Sequence, residues 1–398
     1  MIVKEKRALG EKRSVIREIF EYGKARRAEI GAENVFDFSL GNPSVPAPDE
    51  VNEALLALIR ETPSTLLHGY TSAQGDAGVR HAIATYLNNT YGAGVSAADL
   101  YMTAGAAASL SACLSALTGE GEEVIVFAPF FPEYRVFTEQ TGASLRIVPA
   151  DTERFEISFD AFAEALTEKT AAVIINSPNN PSGAVLSAAT LTRLGEMLTE
   201  AEQKYGHPIY LIADEPYREL AYDVEVPYPT LFYPNTLVCY SFSKSISLPG
   251  ERIGYVLVPP SVTDHDGVYA AICGAGRALG YVCAPSLFQY LIPKVLGKVS
   301  DLSAYRTNRD LLYGALTEYG FTLGKPDGAF YLFMKAAEAD ASAFCERAKK
   351  YELLLVPGDD FACPGYVRIA YCVTEEQIRR SLPAFRALAE EYGLGNET

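Results

Sequence analysis

Ser241-Phe242-Ser243-Lys244-Ser245, followed by Gly250-Glu251-Arg252-Ile253-Gly254, sets a lysine, several hydroxyls and an arginine between two apolar runs, 237–240 and 252–258. A lysine amine is a nucleophile only when deprotonated, and burial or a nearby cation such as Arg252 favours that neutral form. Lys244 reads as lying on the loop that connects the two runs, where a lone lysine is ordinarily a solvated charge. Hydroxyls and a cation crowded around Lys244 point instead to a reactive amine whose product with a carbonyl is a Schiff base. Three other places carry chemistry. Asp214 ends the apolar run 209–213, and a carboxylate at the end of a buried strand is costly without a partner. Arg368 interrupts the apolar run 366–371; its charge either faces water as an exposed strand arginine or points to a partner inside. Small residues from Gly105 to Ala108 open a helical pattern, where free backbone N–H groups and the helix dipole suit an anion.

These residues need a scaffold that brings strand ends together. Branched apolar runs at 123–128, 145–148, 171–176, 209–213 and 237–240 alternate with helical patterns at 106–117, 159–166 and 188–205. Such alternation predicts a mostly parallel sheet covered by helices on both faces. An amphipathic helix is expected from Lys12 to Ile30 and another from Gly78 to Leu87, whereas 259–280, which contains Arg277, reads as irregular. Helical spacing resumes at 287–299 and 302–319. Strand signals at 325–333, 353–358 and 366–371 then suggest a smaller α+β unit.

At 398 residues the chain is long enough for two domains. We expect an N-terminal segment 1–45 that joins the small domain, a large domain 46–294 and a small C-terminal domain 295–398. Its net charge of −16 argues against nucleic-acid and anionic-membrane partners, both of which need a basic face. No stretch has the apolar length of a signal peptide or membrane span, so a cytoplasmic protein is expected. Seven scattered cysteines and four histidines show no metal-ligand spacing, and the cysteines read as reduced thiols.

Taken together, S-x-S-K with G-x-R-x-G, the arginine eight residues after the lysine, resembles the cofactor-lysine signature of the class I/II aminotransferases of pyridoxal-phosphate fold type I. Other segments resemble the same family in the same order. Leu40-Gly41-Asn42-Pro43 is similar to its glycine segment beside the substrate carboxylate. Tyr70 with Gly75 and Arg80 resembles the segment whose tyrosine reaches the neighbouring subunit's cofactor phosphate. Thr103 to Leu110 is similar to the phosphate-binding turn, with Ala106 and Ala107 as amide donors where the family often has a hydroxyl. Phe131 stands at the position of the ring-stacking aromatic. Asn176 to Gly183 resembles N-x-P-x-N-P-[ST]-G, Lys325 to Phe333 resembles P-x-G-A-F-Y, and Val367-Arg368-Ile369-Ala370 the carboxylate-gripping strand.

The resemblance implies a transaminase that moves an amino group between an L-amino acid and a 2-oxo acid through a Lys244 Schiff base with pyridoxal 5′-phosphate. It implies that Asp214 keeps the pyridine nitrogen protonated and that Asn180 and Tyr217 bond the ring oxygen. Ser241, Ser243, Arg252, the Ala106 and Ala107 amides and a partner subunit's Tyr70 would hold the phosphate, in a homodimer. Gly41, Asn180 and Arg368 would bind substrate. Arg277 lies 33 residues after Lys244 and is either a cation for a substrate's distal carboxylate or a solvated arginine. A β-lyase, decarboxylase or racemase would use the same anchors, because the cofactor supplies the chemistry. A non-catalytic ligand-binding regulator would usually need a DNA-binding module, for which the N-terminal segment has no room.

Overall fold

The computed structural model describes residues 2–11 and 14–395. Its central sheet has seven strands: β1 (Leu100–Thr103), β2 (Glu123–Phe127), β3 (Ser144–Val148), β4 (Thr170–Asn176), β5 (Tyr210–Asp214), β6 (Thr236–Ser241) and β7 (Gly254–Leu257). They lie in the order β1-β7-β6-β5-β4-β2-β3, with only β7 antiparallel to its neighbours. The period of two along each strand divides the core. Val124, Val126, Ala172, Ile174 and Ile212 pack with Leu110 and Leu114 of helix Ala106–Leu117 on one face. Ile125, Val173, Ile175 and Leu211 pack with Leu191, Leu194 and Leu198 of helix Ala188–Tyr205 on the other. Every residue of β4 is buried, which is why it reads as a continuous apolar run rather than an alternating one.

The helix Ala188–Tyr205 has clean ends: Ser187 accepts a hydrogen bond from the Thr190 amide, and Gly206 closes it at φ +78°, a conformation glycine adopts without steric cost. That crossover returns the chain to β5. As a result β4, β5 and β6 all end on the same edge of the sheet, at Asn176, Asp214 and Ser241. In open α/β sheets ligands bind at that carboxyl edge.

A second core covers it. Strands Tyr331–Lys335 and Tyr366–Ala370 pair antiparallel, Val356–Pro357 adds to the latter, and helices Leu302–Glu318 and Glu375–Glu391 pack against them through Leu312, Leu316, Phe385 and Leu388. Phe36–Asp37 pairs in parallel with Leu353–Leu354, so the N-terminal segment is stitched to this second core. No helix among the described residues is long and apolar enough to cross a membrane.

Three expectations need correction. The region read as irregular contains the helix His265–Leu279. Its glycines lower helix propensity, but Gly276 lets it pack closely: a Cβ there would stand 2.1 Å from the Tyr101 hydroxyl. Lys244 is not on a loop but in a one-turn helix, Phe242–Ser245, capped by the Ser241 side chain. The helix expected from Lys12 to Ile30 runs Val15–Ile30, with Ser14 as its cap, and a separate helix, Lys4–Glu11, precedes it; Lys12 and Arg13 lie outside the described residues.

Candidate active site

The turn after β6 aims Lys244 inward. Ser241 Oγ accepts from the Ser243 amide and shares a 2.7 Å hydrogen bond with Ser243 Oγ, so two hydroxyls are fixed at the start of the turn. Lys244 Nζ donates to the Gly41 carbonyl at 2.6 Å. Burial, more than the nearby guanidiniums of Arg252 and Arg368, lowers its pKa to about 8 from 10.5. About a tenth of the amine is therefore uncharged at pH 7 and about half at pH 8.

Asp214 stands at the end of β5, buried. Its Oδ2 accepts from the Tyr134 hydroxyl at 2.5 Å, while Oδ1 is buried with no protein partner. Burial is the dominant cause that raises its pKa to about 7; the Tyr134 bond opposes the shift and Glu215 adds to it. From the second core, Arg368 is fully buried. It donates to Asn180 Oδ1 at 3.0 Å and to the Ser39 carbonyl, stacks over Tyr331 and leaves Nε unpaired. Asn180 is itself fixed, its amide donating to Asn176 Oδ1 at 2.7 Å. Tyr217 and Tyr331 share a hydrogen bond of 2.9 Å.

At the opposite end Gly105, at φ +86°, precedes helix Ala106–Leu117 and offers no capping side chain, which leaves its first amides open. Arg252 lies against it: a Cβ at Gly105 would sit 2.8 Å from Arg252 Nη2. Gly41 is equally confined, since a Cβ would stand 2.0 Å from the Tyr331 hydroxyl. All the anticipated cofactor and substrate residues except Tyr70 and Arg277 line a single cavity of about 280 Å³. A roomier cleft of about 470 Å³ near Ser44 and Asp301 is lined by no lysine or arginine.

Tyr70 is 92% exposed and outside the cavity of its own chain. Arg277 is exposed in the last turn of helix His265–Leu279, so the structure does not bring it to the cavity either. Ile16, Leu40, Asn176 and Tyr331 line the cavity without having been singled out as site residues. Tyr134, the hydrogen-bond donor to Asp214, was missed as well. Its place three residues after Phe131, in the first turn of helix Glu133–Glu139, was the available signal. The partnership with a residue 80 positions later had none.

The sequence model of the family described as aminotransferase class I and II matches residues 33–385. The chain belongs to that family. This aminotransferase is also 57% identical to a crystallised aminotransferase from Eubacterium rectale, with a TM-score of 0.97 over 99% of both chains. The aspartate aminotransferase of Thermus thermophilus, crystallised with maleate, is 26% identical with a TM-score of 0.87 over 98% of this chain and 100% of that one. Among curated relatives, a probable aspartate/prephenate aminotransferase of Aquifex aeolicus is 28% identical over 92% of this chain and 94% of its own. The enzyme is thus pyridoxal-phosphate-dependent and moves an amino group between an amino acid and a 2-oxo acid. The cavity fits that cofactor on its own terms. An unpaired buried carboxylate oxygen awaits a protonated ring nitrogen, open helix amides beside Arg252 suit a phosphate, and a buried amine of lowered pKa suits an aldehyde.

Proposed function

We propose that Lys244 is the residue that holds the cofactor and carries protons in transamination, with Asp214, Asn180, Tyr217 and Arg368 in defined supporting roles. The observation that carries this reading is the convergence, in one cavity, of the buried Lys244 amine, the unpaired Asp214 Oδ1 and the buried Arg368 guanidinium.

Bound there, pyridoxal 5′-phosphate supplies an electron sink for the pair released when a bond to the amino acid's Cα breaks. Ser241, Ser243, Arg252 and the amides of Ala106 and Ala107 hold the phosphate, the last through the helix N-terminus. Phe131 would stack on the ring. Asp214, steadied by the Tyr134 hydrogen bond, would hold a proton at the ring nitrogen. Asn180 and Tyr217 would donate hydrogen bonds to the ring oxygen. Arg368 binds the substrate α-carboxylate, oriented by Asn180 and Tyr331, while the lack of a side chain at Gly41 leaves room beside it. Lys244 Nζ removes the proton from substrate Cα as a free amine, a role its pKa of about 8 suits because a general base works best near the operating pH.

The small domain comprises 1–45 and 295–398 and the large domain 46–294, a division supported by the pairing of Phe36–Asp37 with Leu353–Leu354. The working enzyme is a homodimer in which each subunit's Tyr70 completes its partner's phosphate site. Supporting this, Leu66, Tyr70 and Val282 are apolar side chains 55%, 92% and 61% exposed. They lie on segments joined by bonds from Ser286 to the Leu67 carbonyl and from Gln289 to Thr71. Incubation with a panel of amino acids and either pyruvate or 2-oxoglutarate tests the reaction. A new amino acid without release of ammonia or CO2 is expected; ammonia or CO2 as the main product would assign a lyase or a decarboxylase. Light scattering that found an active monomer of 43.2 kDa would overturn the shared site.

A further inference from the structure

The turn that carries Lys244 is too short to hold itself. Its helix, Phe242–Ser245, has four residues, fewer than an intrahelical hydrogen-bond ladder needs to resist rolling about the axis. Successive side chains leave a helix axis about 100° apart, and the two neighbours here face different ways. Lys244 lines the active-site cavity. Ser245 lines a second cavity of about 20 Å³ behind the turn, with Glu219, Tyr228 and Tyr240. The roll of the turn therefore sets where the Lys244 amine points.

A chain of polar groups holds the turn from behind. The Tyr240 hydroxyl lies 3.1 Å from Ser245 Oγ and donates to Glu219 Oε1 at 2.8 Å. A phenol has one hydrogen to give; an ionised Glu219 takes it, and Ser245 then donates its own to the phenol oxygen. Tyr240 and Ser245 are buried, and the Tyr240 ring is fixed by stacking on Tyr255 at 5.0 Å and by the edge contact with Phe242 at 4.9 Å. Glu219 has no closer competitor for the phenol. Its Oε2 has no protein partner, and the neighbouring Arg218 is engaged by Glu215 and by the carbonyls of Val226 and Pro227. The Ser245 carbonyl also accepts from the Ser300 amide at 2.8 Å, so side chain and backbone are pinned in different directions.

We propose that Tyr240, steadied by Glu219, is a positioning residue for Lys244 that acts through Ser245. It touches neither the amine nor the active-site cavity; it fixes the roll that brings Lys244 Nζ to the Gly41 carbonyl at 2.6 Å. The proposal rests on the reading that this amine works at the substrate Cα. A misplacement of about 1 Å at such a group can cost about 100-fold in rate.

The test compares Tyr240→Phe, Ser245→Ala, Ser245→Thr and the double variant Glu219→Leu with Tyr240→Phe. Single half-reactions of the cofactor-loaded enzyme with a panel of amino acids give a limiting rate and a dissociation constant. In the cofactor-free protein, the pH midpoint for acetylation of Lys244 by trace acetic anhydride reads the surroundings of the amine directly. Tyr240→Phe and Ser245→Ala should lower the limiting rate by about 10- to 100-fold, with cofactor and amino-acid binding within about threefold of the parent. Their acetylation midpoint should rise from about 8 by about one pH unit as the amine swings toward water. Ser245→Thr keeps the hydroxyl, and the small cavity beside it admits the added methyl; its rate should stay within about threefold of the parent. The double variant leaves no carboxylate without a partner, so it reports even where Tyr240→Phe does not fold, and it should match Ser245→Ala because the three groups act as one chain. Parental rates or an unchanged midpoint in Ser245→Ala and the double variant would overturn the proposal. So would a fall in rate that Ser245→Thr shares, or one matched by lost cofactor binding. If no amino acid turned over in the parent, the transamination reading would fail, while the acetylation midpoints would still decide whether Tyr240 positions the amine.

Discussion

Replacing Asp214 with asparagine separates the cost of burying its charge from the use made of it. Burial raises the folded-state pKa from 3.8 to about 7. For a carboxyl shifted upward, the destabilisation is absent below the unfolded value, grows as pH rises from about 4 to 7, and is complete above the folded value. At about 1.4 kcal/mol per pH unit this amounts to about 4 kcal/mol at pH 8 and less than half of that at pH 5. Asparagine keeps an acceptor for the Tyr134 hydroxyl and carries no charge, but its amide N–H would be buried unpaired at a cost of about 1–3 kcal/mol. The cofactor-free Asp214→Asn protein should therefore be more stable than the unsubstituted protein by about 1–3 kcal/mol at pH 8, an advantage that disappears at pH 5. With cofactor bound the order should reverse, because only the carboxylate gains the charged ring nitrogen as a partner. Turnover should fall by roughly 3–5 kcal/mol of transition-state stabilisation, on the order of 10²- to 10⁴-fold. Urea unfolding followed by circular dichroism, with and without cofactor at both pH values, reads the first two effects. A cofactor-free variant no more stable than the parent at pH 8, or a loaded variant with undiminished turnover, would refute the reasoning.

Further predictions follow from other parts of the site. Tyr134→Phe removes the hydrogen bond to Asp214 and should cost about 1.5–3 kcal/mol in loaded-state stability; thermal unfolding of the loaded enzyme that did not change would count against the positioning role. Arg368→Ala should depress kcat/KM for every amino acid alike by roughly 30- to 1000-fold, and a loss confined to some side-chain classes would contradict its assignment to the α-carboxylate. In the cofactor-free protein, acetylation of Lys244 by trace acetic anhydride should rise with pH with a midpoint near 8, which peptide mass spectrometry can follow; a midpoint near that of surface lysines would show the amine to be solvated.

The parallel sheet was legible because strands covered on both faces are uniformly apolar, as in β4, and because the helices between them carry strong end signals such as Ser187 and Gly206. The residues that share the candidate cavity could be singled out because they occupy strand ends and tight turns, where residue types are narrowly constrained: Asp214, Asn180, Lys244 and Gly41. The helix His265–Leu279 was not, because Gly276 serves packing against Tyr101 and local propensity cannot express that. The turn around Lys244 was read as a loop since a four-residue helix has too little length for periodicity. Tyr134 and Ile16 escaped for a different reason. Their roles depend on partners far along the chain, Asp214 in one case and the cavity wall in the other, and no local pattern encodes such a contact.

The central claim is that one lysine, Lys244, both holds the cofactor and moves the proton at substrate Cα. It is tested most directly by reducing the loaded enzyme with borohydride, locating the tagged lysine by peptide mass spectrometry, and repeating the half-reactions with Lys244→Ala. The tag should fall on Lys244 alone, and the variant should retain bound cofactor through its phosphate anchors while losing turnover. A tag on another lysine, or a variant with the parent's transamination rate, would contradict the account.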